Sequence, residues 1–169
     1  MYDNHSSIIF TKDTLLIFQE NFKEHLHYHE TIQIIIAYED PFLIRFDGGD
    51  WEKHYGVIIA EDQNFEVETG YGIDAILTII PDTKKAQKLL STVLIDKPFF
   101  FFDINKYSST IEELLTFNSD KIEGINSILE LLVNEITNDY SENEPMSEKV
   151  ERALNYIENN MSHDISTEK

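Results

Sequence analysis

Between Ser7 and Ile80 the chain is cut into short apolar, β-branched runs, each closed by a turn signal, and this rhythm constrains the fold more than any other feature. Ser7-Ile-Ile-Phe10 and Thr14-Leu-Leu-Ile-Phe18 are separated by Thr-Lys-Asp, the spacing of two paired strands and a tight link. Glu39-Asp-Pro41 is a turn before the strand Phe42–Phe46. Asp47-Gly-Gly-Asp50 is a hairpin signal, because glycine accepts the positive φ of a two-residue turn. Trp51–Tyr55 is therefore expected to run back along Phe42–Phe46. Gly56–Ala60 reads as a buried strand and Asn64–Thr69 alternates polar with apolar; Gly70-Tyr-Gly72 breaks the chain before Ile73–Ile80. Seven or eight strands at this spacing predict an antiparallel barrel or jelly roll.

The stretch His25–Tyr38 reads as a single strand with a histidine-rich entry, since Ile32, Ile34, Ile35 and Ile36 favour a pleated surface. A period of two puts His25, His27, His29, Thr31, Gln33 and Ile35 on one face. Such a comb can line a ligand pocket, or begin a metal site. A metal site needs a third and fourth ligand, and His5, His54 and His163 do not obviously supply them. The expectation is no bound metal or cofactor, with His27 and His29 kept as the alternative ligand pair and Glu30 or Asp74 as the carboxylate of a metal-dependent enzyme.

Beyond Pro81-Asp-Thr83 the pattern changes. Lys84–Leu90 predicts a short helix with Ala86, Leu89 and Leu90 inward, and Phe99–Phe102 a strand or strap covering the side of the barrel. Ser109-Thr-Ile-Glu112 has the spacing of a capping box, opening a helix whose apolar face is Leu114, Leu115 and Phe117. Ser119 or Asp120 would cap a second helix, in which Ile122, Ile125, Ile128, Leu129, Leu132, Val133 and Ile136 recur at three and four residues. Two roles fit that stripe. It packs on the chain's own barrel, or Ile122, Ile125, Leu129, Leu132 and Ile136 form the seam of an isologous homodimer. Asn138–Pro145 is polar and aperiodic, a linker. Ser147 would cap a third helix over Glu148–Met161, and Ile165–Lys169 opens a fourth that is not completed, as expected of a chain cut short. The expected fold class is α+β, an antiparallel β-barrel (jelly roll) followed by two to three α-helices.

Charge narrows the function classes. Thirteen Lys+Arg against 32 Asp+Glu give −19, which repels a polyanion and leaves no basic stripe for phosphates. Residues 1–111 carry 9 basic and 18 acidic side chains, residues 112–169 carry 4 and 14. There is no cysteine, no apolar run of membrane-spanning length and no signal-peptide order at Met1-Tyr-Asp-Asn-His, so the chain is expected to be cytoplasmic, with no membrane partner.

Two separated stretches carry a family resemblance. The first is His27-Tyr-His29-Glu-Thr-Ile-Gln33, Asp40-Pro-Phe-Leu-Ile-Arg45, Gly49-Asp-Trp51, Gly56-Val-Ile-Ile59 and Ile79-Ile-Pro81; the second is Val150-Glu-Arg-Ala-Leu-Asn-Tyr-Ile157-Glu-Asn-Asn followed by Ile165-Ser-Thr-Glu168. Together they resemble the AraC-type transcriptional regulators, in which a cupin-like sensor barrel precedes paired helix-turn-helix units. The resemblance implies a sensor barrel over residues 1–105, a helical dimerisation segment over 109–139, a linker over 140–146 and the start of a DNA-binding domain over 147–169. It implies a regulator rather than an enzyme, a homodimer that reads DNA through the missing domain, and an unknown small effector held near His27, His29, Gln33, Arg45 and Trp51. Arg45 is the only arginine before Arg152; its fork suits an anionic ligand group, and the alternative, to which the sequence gives more weight, is a surface arginine. One departure stands out. Similar sensors place a further histidine after the Gly56-like strand, whereas this chain reads Ala60-Glu-Asp-Gln-Asn64-Phe65.

Overall fold

A computed structural model describes residues 7–116 and 122–143. In chain order the strands are β1 (Ser7–Phe10), β2 (Thr14–Glu20), β3 (Lys23–His27), β4 (Ile32–Ala37), β5 (Phe42–Phe46), β6 (Glu52–His54), β7 (Gly56–Ile59), β8 (Phe65–Glu68), β9 (Ile73–Ile79) and β10 (Phe99–Phe101). They form two antiparallel sheets, ordered β1-β2-β9-β4-β7-β10 and β3-β8-β5-β6. Helices α1 (Lys84–Leu90), α2 (Ser108–Leu115) and α3 (Ile122–Asn143) complete an α+β fold.

All six residues of β4 are buried, because both faces of the larger sheet are covered. Ile35 and Ala37 join Phe42, Ile44, Val57, Ile59, Phe65, Val67 and Ile76 between the sheets. Ile32, Ile34 and Ile36 join the helices on the other side. The aromatic strap closes the barrel. Backbone pairing sets β10 along β7, while Phe99 stacks on Phe46 of the smaller sheet at 3.7 Å and Phe101 on His54 at 3.4 Å. Gly56 permits this approach, since a Cβ there would come within 2.7 Å of the Phe102 ring.

The paired runs at 7–18, the hairpin through Gly48-Gly49 and the helix at Lys84–Leu90 follow the sequence reading. Four expectations change. The stretch His25–Tyr38 is two strands, β3 and β4, in different sheets, so its histidines do not continue along the face of Gln33 and Ile35. The capping box at Ser109 does not form; a 3-10 turn, Ile104–Tyr107, capped by Asp103, leads directly into α2 at Ser108. Helix α3 runs to Asn143, into the stretch expected as linker. The fourth concerns the seam. Ile125, Leu129, Leu132 and Ile136 are at most 1% exposed and cluster with Leu16, Ile34, Ile58, Leu77, Leu89 and Leu114. Each such burial stabilises the fold by roughly 1.5–3 kcal/mol, so these side chains belong to the chain's own core and are not free for a partner. The side chain of Ile122, along with Phe117, Ser119, Asp120 and the segment from Ser147 to Lys169, lies outside the described residues.

Candidate functional site

The histidine end of the barrel is built by an irregular strand. Strand β3 pairs with β8 as Lys23↔Glu68, Glu24↔Val67 and His27↔Phe65, with the register shifting between Glu24 and His27. In a regular strand residues three apart face opposite sides; the shift brings Glu24 and His27 to one side. Glu24 Oε1 lies 2.7 Å from His27 Nε2 and 3.4 Å from His29 Nε2. The two rings meet edge to face with centroids 4.4 Å apart, and their Nε2 atoms are in contact. Phe65 forms an apolar floor, 5.2 Å from the His27 ring and 6.0 Å from that of His29.

His27 Nδ1 donates to the backbone carbonyl of His25, which leaves the Nε2 lone pair for the cluster. Burial pulls the pKa of His29 below its usual value, Glu24 opposes that pull, and His27 adds to it. Two imidazole lone pairs and a carboxylate oxygen aimed at one point repel each other unless a proton or a cation lies between them. The three donor atoms lie within 4.8 Å of one another, and two histidines with one carboxylate are a set that divalent transition metals accept. Glu24, His27 and His29 therefore fit a metal in ligand type and convergence.

Gln33 belongs to the same end. It pairs with Ile59, which pairs with Phe99; Phe99 stacks on Phe46, beside Phe65. The carboxamide is 4% exposed and its Oε1 has no hydrogen-bond partner among the described residues. Arg45 and Trp51 are elsewhere, which corrects the expectation that all five residues converge. Along β5 the residues Phe42, Ile44 and Phe46 point into the barrel, so Arg45 faces outward. There its Nε and Nη2 donate to the Glu66 carboxylate at 2.8 and 2.9 Å, and the guanidinium lies 4.7 Å over the Trp51 ring. Glu66 holds the arginine in its charged form, and the arginine lowers the Glu66 pKa.

The carboxylates suggested by the sequence are not the ones found. Glu30 is exposed in the bend after β3, and Asp74 pairs with Ala37 at the opposite end of the barrel. Glu24 was missed because its sequence parity assigns it to the wrong face.

The fold defines a class, a double-stranded antiparallel barrel of the cupin kind backed by a layer of helices. A solved structure with this arrangement is the AraC-like transcriptional activator CuxR, at TM-score 0.52 and 12% identity, covering 96% of this chain and 66% of that one. Weaker similarities include an RmlC-like cupin from Methanocaldococcus jannaschii (TM-score 0.38, 6% identity, 46% of this chain and 82% of that one) and KdgF from Halomonas sp. (0.37, 12%, 44% and 78%). At these identities the likeness is one of fold. No family model matches the sequence, and no curated protein matches it.

Proposed function

We propose that this chain is the effector-sensing part of an AraC-type transcriptional regulator whose DNA-reading unit is separate from the barrel. The observation that carries the reading is continuity: barrel and helices together, over 96% of the chain, share the fold of an AraC-like activator. The charge of −19 agrees with a sensor that does not itself hold DNA. On this reading the effector enters at the end marked by Glu24, His27 and His29, with the buried Gln33 Oε1 as an acceptor for one of its donors. Arg45 has no part in the site. The test is to read the gene past the codon for Lys169. A basic pair of helix-turn-helix units in frame supports the proposal, and a stop codon directly after Lys169 refutes it.

A second reading, a metal-dependent cupin-type enzyme, is favoured by Glu24, which supplies the third ligand that the sequence lacked downstream. A divalent transition metal held there supplies Lewis acidity toward an oxygen of a bound small molecule. The protein's share is to orient His27 through the His25 carbonyl, to keep His29 neutral by burial, and to shield one side with Phe65. Metal analysis of protein purified without chelator separates the readings: stoichiometric metal with turnover of a small oxygenated substrate favours the enzyme.

A further inference from the structure

Two charged side chains are buried among the described residues, Lys85 and Asp74. Lys85 has its counter-charge, with Nζ 2.7 Å from Oδ1 of Asp13. Asp74 is 3% exposed, and its Oδ2 has no hydrogen-bond partner among the described residues. A buried carboxylate without a counter-charge is costly, and its surroundings define what would complete it. On β9, Asp74 pairs with Ala37 on one side and Gln19 on the other. Two residues on, Ile76 pairs with Ile35, and Ala37, Ile35 and Ile76 all face the space between the sheets. Asp74 therefore points into the barrel, one residue inside the start of its strand.

The neighbours add acceptors and negative charge. The Thr69 hydroxyl accepts from the Phe22 N–H at 2.7 Å and lies 3.1 Å from the Phe22 carbonyl, so its one proton is divided between that carbonyl and Asp74. Two more acids stand over this end. A Cβ on Gly70 would come within 2.8 Å of that of Asp40, and one on Gly72 within 3.0 Å of that of Glu39, so the β8–β9 and β4–β5 turns are pressed together. None of Glu39, Asp40 and Asp74 forms an ion pair among the described residues.

We propose that Asp74 anchors a second ligand site, at the opposite end of the barrel from Glu24, His27 and His29, and that its ligand is a small primary ammonium. The orphan Oδ2 calls for a donor and the gathered carboxylates for positive charge, which an ammonium supplies in one group. A metal ion is the poorer fit. Among the described residues the acid and histidine atoms that lie within 4.8 Å of one another belong to Glu24, His27 and His29, so the oxygens of Glu39, Asp40 and Asp74 do not converge as ligands. The cross-strand neighbour Ala37 is only a methyl, which leaves space beside the carboxylate, and the Gln19 carboxamide on the same face accepts a second N–H.

Thermal unfolding of the full chain at about pH 8, where Asp74 is ionised, tests this with methylammonium chloride against tetramethylammonium chloride at equal concentration. Both salts screen the charge of −19 alike, but only methylammonium carries N–H donors. The expected result is a saturable excess rise in Tm with methylammonium. Asp74→Asn weakens that response about tenfold or more while keeping the side chain's size, and Glu24→Gln leaves it unchanged. Equal rises with both salts overturn the proposal. So does an excess that survives in Asp74→Asn, or one that disappears in Glu24→Gln.

Discussion

At one end of the barrel Glu24 sits 2.7 Å from the His27 imidazole and within reach of His29; at the other, Asp74 is 3% exposed, with Oδ2 lacking a hydrogen-bond partner among the described residues. Both carboxylates face the interior from strands of the same barrel. The difference lies in what the neighbouring strands bring to them. A strand irregularity delivers two imidazoles to Glu24, so the cluster is able to take up a proton or a cation. Burial pushes the pKa of Asp74 up to about 6; the hydrogen bond with Thr69 opposes that rise and the charge of Asp40 adds to it. A carboxylate inside a barrel is a ligand where donors converge on it and a liability where they do not.

The largest effect should come from removing the liability. The folded pKa of Asp74, about 6, exceeds its ordinary value of 3.8 by about 2 units, so ionisation costs the fold about 3 kcal/mol once complete. A raised carboxylate pKa means that this cost is absent below about pH 4, grows as pH rises through the window from 3.8 to about 6, and is constant above it. Asp74→Asn, which cannot ionise, should gain on the parent by up to about 3 kcal/mol between pH 4 and pH 7 in paired urea melts. A pH-independent difference between the two proteins would remove the contrast between the barrel ends.

The other end should respond to metal. Zn²⁺ or Co²⁺ at a hundredfold excess over its dissociation constant would raise stability by about 2.7 kcal/mol, read as a rise in Tm reversed by chelator. Glu24→Gln and His29→Ala should each abolish most of that rise, and an unchanged response in Glu24→Gln would show that the carboxylate is no ligand. A smaller effect is expected at the turn beside Asp74. Gly72 has φ +115°, and a Cβ there would lie 3.0 Å from that of Glu39, so Gly72→Ala should cost about 1–2 kcal/mol without altering the metal response. The smallest belongs to Arg45. It faces outward onto Glu66 and Trp51, and Arg45→Ala should leave metal and effector responses at the histidine end untouched in thermal-shift measurements.

Much of the strand inventory was legible in the sequence, because β-branched runs and glycine turns report local preferences. The hairpin through Gly48-Gly49 and the Phe99–Phe102 strap are examples. The α3 stripe was legible as a helix face but not as to its occupant, since the same isoleucines and leucines serve a core or a partner equally well. At the site, His27, His29 and Gln33 lie at one end of the barrel; Arg45, read from the sequence either as a partner for an anionic ligand or as a surface arginine, faces outward, and Glu24 was overlooked.

The amino-acid order by itself determined the elements and their polarity: short strands from apolar runs, helices from the switch in period, and a net charge of −19. Tertiary structure decided which elements met. Alternation along a strand is a local rule, and it holds only while the pairing stays regular. The shift between Glu24 and His27 depends on how β3 lies against β8, a contact between residues more than thirty-five positions apart, and that shift alone turned an acid on the wrong face into the third member of the histidine cluster.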